Sequence, residues 1–210
     1  MFLRRGKNKS QAGLISHERD VSPIFSFREI MMKIKERYGY GNPQFSVLRD
    51  PARAVVAAYQ DANRTLDTIQ EYVLIEEGMP NLAHAIHSQA HMMPPRFDSF
   101  SNMLHERHLM AEYPATAEMD WREELHDLDD VFRCVILTME GIQEALEDFR
   151  KVVDNANFRP MALKAEELMT QNSADYTKFL DMWARWDNEG GSKTSFDSWV
   201  RHYVGLCEED

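Results

Sequence analysis

Apolar side chains recur along most of this chain in alternating steps of four and three residues, the spacing of a helix that buries one narrow stripe. The stripe is longest at Trp121, Leu125, Leu128, Phe132, Val135, Met139, Ile142, Leu146, Phe149 and Val153. It predicts a single helix over 121–154, about 50 Å long at 1.5 Å per residue. Val131, Cys134, Gly141, Ala145 and Val152 form a flanking stripe, which predicts burial on two sides and a close helix neighbour at Gly141. Val55, Tyr59, Ala62, Leu66, Ile69 and Val73 repeat the rhythm in a helix from Asp50-Pro51 to Gly78. Met161, Leu168, Tyr176, Phe179 and Trp183 give a return helix over 158–187.

Breakers set the remaining boundaries. Pro80 opens a helix that Pro94-Pro95 is expected to end near Met93, because an internal proline removes a hydrogen bond and clashes with the preceding turn. A further helix over 98–112 then completes a helical hairpin. Ser22-Pro23 starts an N-terminal helix reaching Tyr38. Gly190-Gly191 separates a last short helix, Phe196 to Val204. No stretch alternates with period two, so the fold class is all-α: an antiparallel helical bundle of three to four layers. Residues 1–21 read as a basic tail, 22–49 as a helix and loop, 50–187 as the bundle, and 188–210 as an aromatic helix with an acidic end.

Charge narrows the partners. The net charge is −11, yet Arg4, Arg5, Lys7 and Lys9 stand in a first stretch without acids, so the rest of the chain is more acidic still. Such a surface repels nucleic acid and anionic lipid, leaving residues 1–10 as the one place for phosphate contact. No apolar run is long enough to span a bilayer, and Met1-Phe2-Leu3-Arg4-Arg5 lacks the apolar core of a secretory signal. Two cysteines, Cys134 and Cys207, make no disulfide framework, so an intracellular, reducing compartment is expected.

Histidine is the one chemical signal. Six of the eight lie between His84 and His126. His84, His87 and His91 fall at i, i+3 and i+7, and His105, His108 and Glu112 repeat that spacing. If the chain turned at Pro94-Pro95, His84 would come level with His105, and imidazole with carboxylate could hold iron, zinc or manganese. Glu123 and His126 add an E-x-x-H spacing at the start of the longest helix. In this motif and in its bundle class the chain resembles the ferritin-like carboxylate bundles, whose E-x-x-H motifs point into the core. That resemblance implies iron oxidation or storage. The family pattern asks for a second E-x-x-H, whereas Glu166 and Glu167 are followed by no histidine three residues on.

Other catalytic signatures are missing: no phosphate-cradling glycine loop, no C-x-x-C, no H-E-x-x-H and no G-x-S-x-G. Cys207 stands among acids that blunt a thiol. Trp183, Trp186, Phe196, Trp199 and Tyr203 bracket the Gly190-Gly191 break, and Trp186, Trp199 and Tyr203 are candidates for a partner-binding surface. With no catalytic motif and short elements at both ends, the sequence favours a non-catalytic structural or adaptor subunit of a larger assembly, such as a viral particle or multisubunit complex. On that reading it meets other subunits in a homo- or hetero-oligomer and needs no cofactor. The alternative is a ferritin-like metal-binding bundle using His84, His105, His108, Glu112, Glu123 and His126. Nucleic-acid contact through the tail is a weaker third reading.

Overall fold

Four long helices carry the four-three seams. In a computed structural model, which describes residues 29, 32–33, 39–115, 121–188 and 192–208, they are α1 (Arg49–Ile75), α2 (Pro80–His105), α3 (Leu128–Asn155) and α4 (Arg159–Asn188), followed by a shorter α5 (Lys193–Glu208). No strand occurs among the described residues, and none of their helices is long and apolar enough to cross a membrane. The basic tail with Arg4, Arg5, Lys7 and Lys9, and most of the expected 22–38 helix, lie outside the described residues.

Contacts across the seams give the direction of each helix. Asn63 meets Ala90 and Asp67 meets His87, so α1 and α2 are antiparallel. Trp183 with Asp129 and Asn172 with Met139 make α3 and α4 antiparallel. Phe100, late in α2, packs edge-on against Phe149, late in α3, with ring centroids 4.9 Å apart. The middle pair, α2 and α3, therefore runs parallel, so His105 and Leu128 lie at opposite ends of the bundle and the connection between them is a crossover. The start of that crossover is pinned to the N-terminal side of α1. Gly39, at φ +64°, lies under the His108 carbonyl, where an added Cβ would stand 2.7 Å from the oxygen. Arg49 Nε donates to Glu112 2.8 Å away. Fully buried Leu66, Ile86, Phe132 and Phe149 form the shared core.

The bundle was legible in the sequence, but three local expectations are corrected. The first is the hairpin. Pro94 and Pro95 lie inside one continuous helix, and the helix that should have ended near Met93 runs to His105. Pro94 leaves the carbonyl of Ala90, four residues earlier, without its helical donor. Asn63 Nδ2, reaching over from α1, donates to that oxygen at 3.1 Å. The second is the start of the longest helix. Its expected first turn, Trp121–Glu124, is a separate piece, and α3 begins at Leu128. Asp127 is extended and its carboxylate accepts from Asp130 N, while Asp130 accepts from His126 N, a reciprocal cap that stops the helix from extending backwards. The third is Gly141, which is exposed with nothing within 4 Å of a Cβ, so no neighbouring helix approaches it.

The final helix folds back. Asp197 of α5, nearly buried, accepts from the backbone N of Asn81 and of Leu82, both at 3.0 Å, and from Asn81 Nδ2 at 2.7 Å. It thereby caps the N-terminus of α2, which has no side-chain cap of its own. Phe196 is fully buried, with Phe132, Trp186 and Trp199 around its ring.

Candidate metal centre

The residues expected to bind metal do not converge. His84 and His105 are 21 positions apart on the one continuous α2, a separation of about 30 Å, so the hairpin that would bring them level is absent. His105 is exposed at the last turn of α2. His108, also exposed, takes the left-handed conformation at φ 58° where the crossover begins. Glu112 is held by Arg49. Glu123 and His126 are exposed, and the cap at Asp127 separates their two segments, so the E-x-x-H spacing is not on one helical face. Among the described residues, no group of three or more His, Cys, Asp or Glu is gathered closely enough to hold a metal ion.

The bundle interior is occupied by different chemistry. Its buried polar residues include Gln89 and Arg96 of α2 and Asn172 and Asp175 of α4. Asp175 is ion-paired to Arg96 Nη2, accepts from Gln89 Nε2 at 3.0 Å, and has Lys178 Nζ 3.6 Å away. Asn172 Nδ2 donates to the Met139 carbonyl at 2.9 Å. Tyr59 of α1 is buried with no partner for its hydroxyl. Burial holds that phenol protonated well above its usual range, and the nearby guanidinium only partly offsets this. A ferritin-like di-metal centre needs a glutamate from each of two helices and an E-x-x-H from each of the other two, all pointing inward. The buried carboxylates among the described residues are two, Asp175, paired with an arginine, and Asp197, engaged in capping α2, and no histidine or glutamate is buried among them. These residues do not fit a di-metal centre.

One imidazole pair does converge, on the outer face between α1 and α2. His87 and His91, one turn apart, bring their Nε2 atoms to 3.0 Å with the rings perpendicular. Two nitrogens bound to one ion at about 2.0–2.1 Å each, at angles between a right angle and tetrahedral, stand about 2.9–3.4 Å apart. The same spacing suits an N–H···N hydrogen bond, which holds the pair in place without metal. His87 Nδ1 is buried, has no hydrogen-bond partner, and faces Asp67 Oδ1 at 3.7 Å. A carboxylate behind a ring nitrogen favours the proton there and leaves Nε2 free to ligate. The Asn63–Ala90 bond that compensates Pro94 lies one turn away on each helix, so it also sets the register of this face. The i, i+3, i+7 spacing showed the histidine stripe; Asp67 could not be found without knowing which face of α1 lies beside it.

Thiol chemistry finds no support. Cys134 is half-buried, and burial pushes its thiol up, followed by the charges of Glu124 and Asp130. Of the expected partner-binding aromatics, Trp186 and Trp199 are half-buried around Phe196, and the Tyr203 ring stacks on Trp199 at 4.8 Å.

No protein-family model matches the sequence, and no curated protein matches it. The fold does have solved counterparts. A variant of the ferritin PmFTN, in a crystal soaked in iron, is similar at a TM-score of 0.68 and 13% identity, covering 73% of this chain and 98% of the ferritin. M. penetrans ferritin is similar at 0.66 and 9% identity, over 74% and 94% of the two chains. At these identities the likeness concerns the fold. It corrects the reading of the chain as a structural or adaptor subunit that needs no cofactor, because the solved proteins found to share its fold are ferritins.

Proposed function

We propose that this chain is a ferritin-like bundle that binds a divalent transition-metal ion, with iron(II) the first candidate, on its outer α1–α2 face. His87 and His91 are the protein ligands, Asp67 orients His87, and His84, one turn earlier on the same stripe, is the reserve donor. Water or a second subunit completes the coordination. The observation that carries this reading is the 3.0 Å approach of the two Nε2 atoms in front of a carboxylate. Iron is favoured by the iron-soaked ferritin among the solved counterparts. Imidazole also suits zinc, copper and nickel, so the donor set alone does not rank them. The activity proposed is binding and holding, not oxidation at a buried centre, since the inward-facing residues do not supply one. Ferritin architecture further supports assembly into an oligomer of identical subunits. Exposed Ile75, Leu137 and Leu163 provide apolar surface for such contacts.

The test is anaerobic equilibrium dialysis of the untagged protein against iron(II) and, separately, zinc, with bound metal measured by elemental analysis. One ion per chain should bind and be lost in the variant His87→Ala/His91→Ala, with helicity unchanged. Retention of the ion by that variant would overturn the site. Light scattering on the same sample should give a mass of several chains, and a monomer would remove the oligomer from the proposal.

A further inference from the structure

His84, His87 and His91 share one stripe of α2, yet only His87 and His91 bring their Nε2 atoms together, at 3.0 Å. An ion between those two atoms stands halfway from His87 to His91 along the helix axis. That is five residues beyond His84, or about 7.5 Å, too far for the His84 imidazole to join them. Among the described residues no third His, Cys, Asp or Glu is gathered with the pair, and Asp67 stands behind the His87 ring on its Nδ1 side. One chain therefore offers two ligands where protein sites for zinc-like ions use three or four. His84 is the converse: exposed, with no hydrogen bond or ion pair among the described residues, it is a donor without an ion. A two-fold axis removes the mismatch, because in an isologous pair each copy offers the other the same two patches in exchange. With two α2 helices antiparallel across an axis passing close to His87, each His84 comes level with the ion of the opposite copy. The two ions then lie about 7.5 Å apart, one per chain. Charge favours the same arrangement. Each chain carries −11, so two bare copies repel, and divalent ions held between their outer faces offset that repulsion.

We propose that the ion at His87 and His91 takes its third protein ligand from His84 of a second copy of this chain. Two copies thus share two three-histidine sites across their outer α1–α2 faces, with solvent in the remaining position of each ion. The inference rests on the metal-binding reading above and names its partner: His84 is a reserve donor for the opposite chain, not for its own.

Zinc is the probe, titrated into the full chain against a competing chromophoric chelator, with bound metal and mass measured on the same samples. The wild type should bind one zinc per chain. His84→Ala should weaken that binding at least about tenfold, since losing even an outer partner of a zinc ligand costs that much. His87→Ala/His91→Ala should bind none. The decisive sample is these two variants co-expressed with different non-chelating tags and purified as mixed oligomers. Neither variant has a complete site by itself. A mixed pair joins His87 and His91 of one chain to the intact His84 of the other, so a class of sites with wild-type affinity should return. Full affinity in His84→Ala, failure to form mixed oligomers, or mixed oligomers without recovered affinity would overturn the sharing and leave the His87–His91 site standing. A wild type that binds neither zinc nor iron(II) would remove the His87–His91 site itself, and the shared site with it.

Discussion

The two polar regions of α2 make opposite uses of the same helix. On its inner face Gln89 and Arg96 sit against Asp175 in near-complete burial. On its outer face, His87 and His91 converge at 44% side-chain exposure for His87, with Asp67 behind. A buried charge must be matched by a fixed partner, so the inner cluster is committed to holding itself together. The outer pair can exchange its mutual hydrogen bond for an ion at little cost to the fold. The proposed metal binding, by that contrast, belongs to the surface, and the interior belongs to packing.

Substitutions should separate the two regions by the size and kind of their effects. The largest is expected at Arg96→Ala, which removes the buried ion-pair partner of Asp175 and leaves it only Gln89 and, 3.6 Å away, Lys178. It should cost about 3–5 kcal/mol in urea unfolding, while metal uptake by the folded fraction is kept. Next comes Asp197→Ala, which strips the cap from α2 and frees α5. A loss of about 1–3 kcal/mol is expected, with the tryptophan fluorescence of the α5 cluster changing before global unfolding.

Asn63→Ala should cost about 1–2 kcal/mol by orphaning the Ala90 carbonyl. Pro94→Ala in the same background should recover most of that, since a backbone N–H returns to the oxygen. If the two substitutions were additive, the explanation of the continuous α2 would fail. The smallest stability effect belongs to the outer face: His87→Ala should move the unfolding free energy by no more than about 0.5 kcal/mol while abolishing metal binding. Equal destabilisation by His87→Ala and Arg96→Ala would erase the distinction between the faces.

A pH profile sharpens the same contrast from the interior side. Burial, followed by the charge of Glu112, pushes the Tyr40 phenol up to about 12, and burial with the charge of Glu77 does the same for Tyr72. Each folded-state value lies above the unfolded one, so the folded chain holds the proton more tightly. Their contribution is complete below pH 10 and declines as pH rises through 10 toward 12. Tyr40→Phe and Tyr72→Phe should each flatten the alkaline limb of the stability curve, read from urea midpoints between pH 9 and 11. An unchanged limb in both variants would contradict the burial assigned to them.

How far the sequence could go depended on whether the deciding contact was local. The expected 51–77 and 158–187 helices match α1 (Arg49–Ile75) and α4 (Arg159–Asn188) closely, because an unbroken apolar stripe with flanking breakers is a local signal. Pro94-Pro95 misled because the compensating donor, Asn63, lies on another helix. The break before Leu128 was written locally in Asp127 and Asp130, but the apolar rhythm runs straight across it at Leu125 and hid the cap. The histidine stripe was visible; its pairing with Asp67, and the arginine inside the bundle, follow from tertiary packing that no spacing reveals.

Anomalous diffraction at the iron edge, from crystals of the protein loaded anaerobically with iron(II), tests the central claim most directly. The account predicts a peak between His87 Nε2 and His91 Nε2 on the outer α1–α2 face and none inside the bundle. A peak in the interior beside Asp175, with the histidine pair empty, would contradict it.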